Sequence, residues 1–117
     1  MNPENSIKIS ILLDIYGKLL TEKQYNLLND YYNNDLSLAE IAENENITRQ
    51  AVRDNLKKGE RKLFDYEEKL SIMKRNKMQE EQIAIILSEI STLTEKSTDN
   101  EIANVLEDVK KKLNCLV

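Results

Sequence analysis

The chain has no histidine and no tryptophan, one cysteine, one proline and two glycines in 117 residues. Each shortage removes a class of function. Without histidine, and with Cys115 alone, the common zinc sites, most general-base arrangements and every Cys-His or Ser-His nucleophile pair are out of reach. Gly17 and Gly59 stand apart, so no glycine-rich phosphate loop can form. So little glycine and proline also leaves few residues for hairpin turns, and the β-branched residues fall at helical rather than alternating spacing. The expectation is an all-α fold. A single thiol cannot close an internal disulfide, in keeping with a reducing compartment, and near the carboxyl terminus it reads as a small apolar contact or a bystander. No apolar run approaches the roughly 20 residues that a bilayer crossing needs, and the amino terminus lacks a basic stretch ahead of an apolar core. The carboxylate pairs Glu67 with Glu68 and Glu80 with Glu81 lie in charged helical stretches and read as solvated faces. The reading is a cytoplasmic protein with no membrane segment, catalytic centre, metal or cofactor.

What is present is enough for a small folded domain: 40% hydrophobic and 32% charged residues, with a net charge of −4. The densest pattern runs from Leu36 to Leu56, LSLAEIAENENITRQAVRDNL. Ser37 can cap a helix start while Glu40 reaches back to complete a capping box, and Leu38, Ile41 and Ala42 then fall on one helical face. Asn44, Glu45 and Asn46 interrupt that face, and asparagine tolerates the left-handed conformation a helix stop needs. Ile47 plugs the angle that follows and Thr48 caps a second helix, which buries Val52, Leu56 and Leu63. This spacing is that of a helix-turn-helix. Glu45 stands where such units commonly carry an apolar residue and Asn46 where glycine is frequent, which predicts a looser turn than usual.

The outer face of the second helix carries Arg49, Arg53, Lys57 and Arg61 at four-residue spacing, with Gln50 and Asp54 beside them. Between Thr48 and Leu63 there are six basic and two acidic residues, a local charge of +4 in an anionic chain. A reversal of sign of this kind suits a phosphate-binding surface, although basic residues also sit on ordinary solvated helix faces. Asp54 puts a negative charge on that face, where it can pair with Lys57 or Lys58 or accept from a cytosine amino group.

Around this unit, Ile7 to Leu20 holds Ile7, Ile11, Leu12, Ile15, Tyr16 and Leu19, apolar over more than one helical face and therefore mostly buried, in part against a second subunit. Thr21 with Gln24 forms a further capping box, opening a helix to about Tyr32 with Tyr25, Leu28 and Tyr32 inward, and Asn33 to Asp35 mark a loop. Tyr31 and Tyr32 read as core or interface filler rather than as a base-stacking platform. The recognition helix runs on past Leu63, with Gly59 marking a bend or close packing. A break is expected within Met73 to Gln79. Beyond it Ile83, Ile86, Leu87, Ile90 and Leu93, and then Ile102, Val105, Leu106, Val109 and Leu113, define two amphipathic helices around a polar turn, Thr94 to Asn100. Thr98 with Glu101 offers a cap for the second, and Lys110 to Lys112 suit the negative end of its dipole. The expected organisation is a helix-turn-helix domain over residues 1–75 and a helical hairpin over 76–117 that either closes the monomer's core or pairs between chains as a homodimer.

The segments LDIYGKLLTEKQ (Leu13 to Gln24), DLSLAEIAENENITRQAVRDNLKKGERKL (Asp35 to Leu63) and DYEEKL (Asp65 to Leu70) resemble the YlxM family, over roughly Ile7 to Leu70. These proteins are similar to the carboxyl-terminal helix-turn-helix region of bacterial sigma factors, so the resemblance implies a sigma-factor-like helix-turn-helix regulator. It places Thr48, Arg49, Gln50, Arg53, Asp54 and Lys57 on the contact surface. Arg53 departs from the aromatic residue expected there. Family genes typically neighbour those of the signal recognition particle, which implies participation in, or regulation of, that pathway. Two non-enzymatic readings follow. In one, Arg49, Arg53, Lys57 and Lys58 contact DNA phosphates while Gln50, alone or with one of the arginines, reads base edges in the major groove. In the other, the same helix docks on the particle's RNA or on an acidic surface of its GTPase, and the hairpin grips protein.

Overall fold

The computed structural model describes residues 3–96 and 98–116. Those residues form helices α1 (Pro3–Tyr16), α2 (Glu22–Tyr32), α3 (Leu38–Glu45), α4 (Arg49–Leu70), α5 (Ile72–Lys96) and α6 (Asn100–Asn114), with one 3-10 turn, Gly17–Leu19, after α1. There is no strand among them, and the fold is all-α. The backbone forms two compact units, one ending at Met73 and the other beginning at Lys74.

Three helix starts follow directly from local chemistry. Thr21 Oγ1 accepts from the Gln24 amide at 3.2 Å, and Gln24 Oε1 accepts from the Thr21 amide, closing the capping box of α2. Ser37 and Glu40 do the same for α3. At α4, Thr48 Oγ1 accepts from the Ala51 amide at 3.0 Å. Each bond satisfies an amide that the helix itself leaves without a partner.

The first unit packs α1, α2 and α3 around α4. Its core is Ile9, Leu12, Leu13, Tyr16, Leu20, Leu27, Leu28, Ile41, Ala42, Val52, Leu56 and Leu63. Gly59 is buried in α4 because Leu28 of α2 occupies the space beside it: a Cβ there would stand 2.7 Å from Leu28 Cδ1. Close packing, and not a bend, is the reason for that glycine. Tyr31 and Tyr32 pack against the same core, as their reading as filler required.

Four expectations need correction. On α1, Ile7 and Ile11 are exposed, as is Leu19 in the 3-10 turn after it, because only the Ile9–Leu12–Leu13–Tyr16 side of the helix meets α2 and α4. On α2 the buried pair is Leu27 and Leu28, while Tyr25 lies at the edge with its ring against Gly17. The break expected within Met73 to Gln79 is instead at Ser71, which adopts φ 54° and ψ 31°, and Met73 to Gln79 is continuous helix inside α5. Its cause is distant in sequence. The buried Tyr16 hydroxyl donates to Glu67 Oε1 at 2.8 Å and accepts from the Ile72 amide at 3.1 Å, and Glu67 Oε1 also accepts from the Met73 amide at 3.0 Å. Side chains of α1 and α4 thus cap α5. Finally, α6 is capped by Asp99, whose carboxylate accepts from the Glu101 amide at 2.9 Å, and not by Thr98.

In the second unit α5 and α6 form a helical hairpin. Leu116 lines the same shallow cavity as Asn76, Gln79 and Glu80, so the chain end after α6 returns beside the early turns of α5 and the two helices run antiparallel. Ile83 and Ile90 are buried on α5, and Leu106, Val109 and Leu113 are half-buried on α6. Cys115, at the end of the hairpin, is exposed.

Candidate nucleic-acid interface

The turn between α3 and α4 is tight despite lacking glycine. Asn46 takes φ 54° and ψ 43°, its amide points back to the Glu43 carbonyl at 3.4 Å, and the Ile47 amide donates to the Ala42 carbonyl at 3.1 Å. These bonds satisfy the last carbonyls of α3 as a glycine stop would. The looser turn expected from Glu45 and Asn46 is therefore not found. Glu45 is solvent-exposed, so the motif does not need an apolar residue there. Ile47 packs against the core as the wedge between the two helices.

α4 is anchored by Val52, Leu56, Gly59 and Leu63. That anchoring sends Arg49, Arg53, Lys57, Lys58 and Arg61 to solvent, and all five are exposed. None makes a hydrogen bond or ion pair with another described residue. Steps of four residues rise about 6 Å and turn about 40° beyond a full circle, so Arg49, Arg53, Lys57 and Arg61 form a gently winding stripe about 18 Å long. Unpaired guanidinium and ammonium groups on an exposed helix face keep their donors available to phosphate oxygens. Thr48 sits at the head of the stripe, where its hydroxyl is occupied as the cap while α4's first amides point outward. Lys62 lies to one side and donates to Gln24 Oε1 at 3.2 Å.

Asp54 does not pair with Lys57 or Lys58. Its carboxylate accepts from Gln50 Nε2 at 2.9 Å, one turn earlier on the same face. The pairing follows the i to i+4 rule for helix neighbours, a signal present in the sequence. It engages one of the two Gln50 amide protons. The Gln50 side chain is thus held by Asp54, whereas the cations around it have no such partner among the described residues.

Two further contacts stiffen the back of the site. The Tyr32 hydroxyl donates to Glu60 Oε1 across α2 and α4, and burial first, then that bond, pushes the Tyr32 hydroxyl's pKa well above its ordinary value. Lys8 of α1 stands over the Phe64 ring, 5.3 Å from its centroid. Neither contact was legible from spacing, since each joins residues far apart in the chain. Among the described residues no group of three or more His, Cys, Asp or Glu side chains is arranged to hold a metal ion. No helix there is long and apolar enough to cross a membrane.

Over residues 3–109 the chain matches the family UPF0122, described as "Putative helix-turn-helix protein, YlxM / p13 like". It is similar to a UPF0122 protein of Clostridium novyi, 44% identical over 94% of this chain and 96% of the relative. A UPF0122 protein of Clostridium kluyveri is 49% identical over 92% and 93%. One from Fusobacterium nucleatum is 42% identical over 88% and 93%.

Proposed function

The chain belongs to this family of YlxM/p13-like helix-turn-helix proteins, and from that premise we propose that it is a non-enzymatic, cytoplasmic regulatory protein that binds a nucleic-acid backbone through α4 and serves the signal recognition particle pathway. One observation carries the binding reading: five exposed cations on the outer face of a helix-turn-helix recognition helix, none engaged by another described residue. Arg49, Arg53, Lys57 and Lys58 hold phosphates, and Thr48 positions the outward amides of α4's first turn. The sequence resemblance to YlxM proteins supports the pathway.

A second reading, a sequence-specific DNA regulator, is favoured by the position of Gln50 at the head of α4. Its bond to Asp54 weighs toward the first, because it holds one of the two Gln50 amide protons and keeps a carboxylate beside the other on the face that base edges would meet.

Fluorescence anisotropy across a salt series tests both, using labelled duplex DNA from the organism's own genome and the particle's RNA. Four phosphates held on duplex DNA give a slope of log affinity against log salt on the order of −3 to −4. Removing Arg49 and Arg53 together reduces that slope by about 2. Gln50→Ala leaves affinity for the particle's RNA nearly unchanged. If it instead abolishes preference for one duplex sequence, the DNA regulator takes first place, and the absence of salt-dependent binding to either polymer overturns the proposal.

A further inference from the structure

Both helices of the hairpin carry more apolar surface than a single neighbour covers. On α5, Ile83 and Ile90 are buried while Ile86 and Leu93 are 39% and 57% exposed. On α6, Leu106 and Leu113 are half-buried while Ile102 and Val105 are 53% and 62% exposed. At about 100° per residue, Ile86 and Leu93 lie roughly 60–80° to one side of the Ile83–Ile90 line, and Ile102 and Val105 lie roughly 40–100° to the same rotational side of the Leu106–Leu113 line. The helices run antiparallel, so equal rotation on each brings all four side chains onto one broad face of the hairpin. A helix with its apolar stripe widened in this way is built to meet two neighbours, as in a four-helix bundle. Within the hairpin each helix has one.

We propose that this face is closed by the same face of a second copy of the chain, completing a two-fold symmetric four-helix bundle. The rim charges select a second copy over an unrelated protein. A two-fold axis along the hairpin lays α5 of one copy over α6 of the other with both turns at the same end. Lys96, at the turn end of α5, then meets the partner's Glu101, at the turn end of α6. Further down, Gln82 meets the Lys112 ammonium. Glu89 stands level with Asp108, an unfavourable pairing that the exposed Lys112–Asp108 ion pair, at 3.0 Å, offsets only in part. Symmetry makes the Lys96–Glu101 contact twice, and that pair is the charge complementarity that favours a second copy.

Sedimentation equilibrium of the full chain over a concentration series reads this directly and uses no nucleic acid, so its outcome is separate from that of the binding reading. The expected species has twice the 13.6 kDa mass of the chain. Leu93→Glu with Val105→Glu gives the single-chain mass with an unchanged helical circular dichroism spectrum. Ala84→Glu, at an exposed position on the opposite side of α5 from Leu93, stays dimeric. Lys96→Glu weakens association on the order of threefold to tenfold at low salt, and adding Glu101→Lys restores it. A wild-type chain that sediments at 13.6 kDa throughout, a Leu93→Glu/Val105→Glu variant that remains dimeric, or an Ala84→Glu variant that dissociates overturns the proposal.

Discussion

Gly59 shows how tightly α4 is seated. Alanine is the better helix former by about 1 kcal/mol, so a loosely packed site would gain stability from Gly59→Ala. Here the new methyl meets Leu28, a fully buried side chain with little freedom to move aside. Overpacking of this kind costs about 1–3 kcal/mol, and the net expectation is a loss of about 1 kcal/mol in urea denaturation. The loss should shrink in a Leu28→Ala background, where the opposing atoms are gone. Tyr32 gives a prediction of a different kind. Its hydroxyl is held protonated in the fold by burial and by the bond to Glu60, so its folded pKa exceeds its unfolded one. The sign follows from linkage: its contribution is fully present below pH 10, the ordinary tyrosine value, and is lost as pH rises toward the folded value. The stability difference between the wild type and Tyr32→Phe, measured by denaturation from pH 8 to 12, should therefore be flat to about pH 10 and then fall.

At the scale of the helix, what could be read from sequence was set by distance along the chain. The starts of α2, α3 and α4 were legible because each cap acts within three residues: Thr21 on Gln24, Ser37 on Glu40, Thr48 on Ala51. The core stripe of α4 and the cations opposite it followed from the same 3.6-residue period. The junction of α4 with α5 was not legible, because Ser71 carries neither a glycine nor a proline signal and the Ile72 amide finds its acceptor in Tyr16, 56 positions earlier. Likewise the exposed side of α1 carries apolar residues, so periodicity alone could not tell which face the neighbours take. In the site, the identity of the cations was legible, but the engagement of Gln50 by Asp54 was missed in favour of a charge pair. The Tyr16–Glu67 cap makes a testable demand. Glu67→Ala removes the carboxylate that accepts from the Tyr16 hydroxyl and the Met73 amide, at an expected cost of about 1–3 kcal/mol. Hydrogen exchange should show the gain in opening concentrated at the start of α5, and an unchanged Met73 amide would argue against the cap.

For the whole molecule, the large core lies entirely in the unit that ends at Met73, while the buried Ile83 and Ile90 stand outside that cluster. We accordingly propose a functional division near residue 75: a chain ending at Arg75 unfolds cooperatively on its own and keeps the phosphate affinity of one α4. Calorimetry checks the first part, and a broad, non-cooperative transition would overturn it. Salt-series anisotropy checks the second.

The unpaired cations of α4 also have a physiological corollary. The molecule carries no histidine, the one side chain whose ordinary titration spans pH 5 to 8. The polyanion binding proposed above is therefore expected to be indifferent to pH across that range and to respond to competing polyanions, ionic strength or covalent neutralisation of a lysine. Anisotropy midpoints at fixed ionic strength should coincide at pH 6.5 and pH 8.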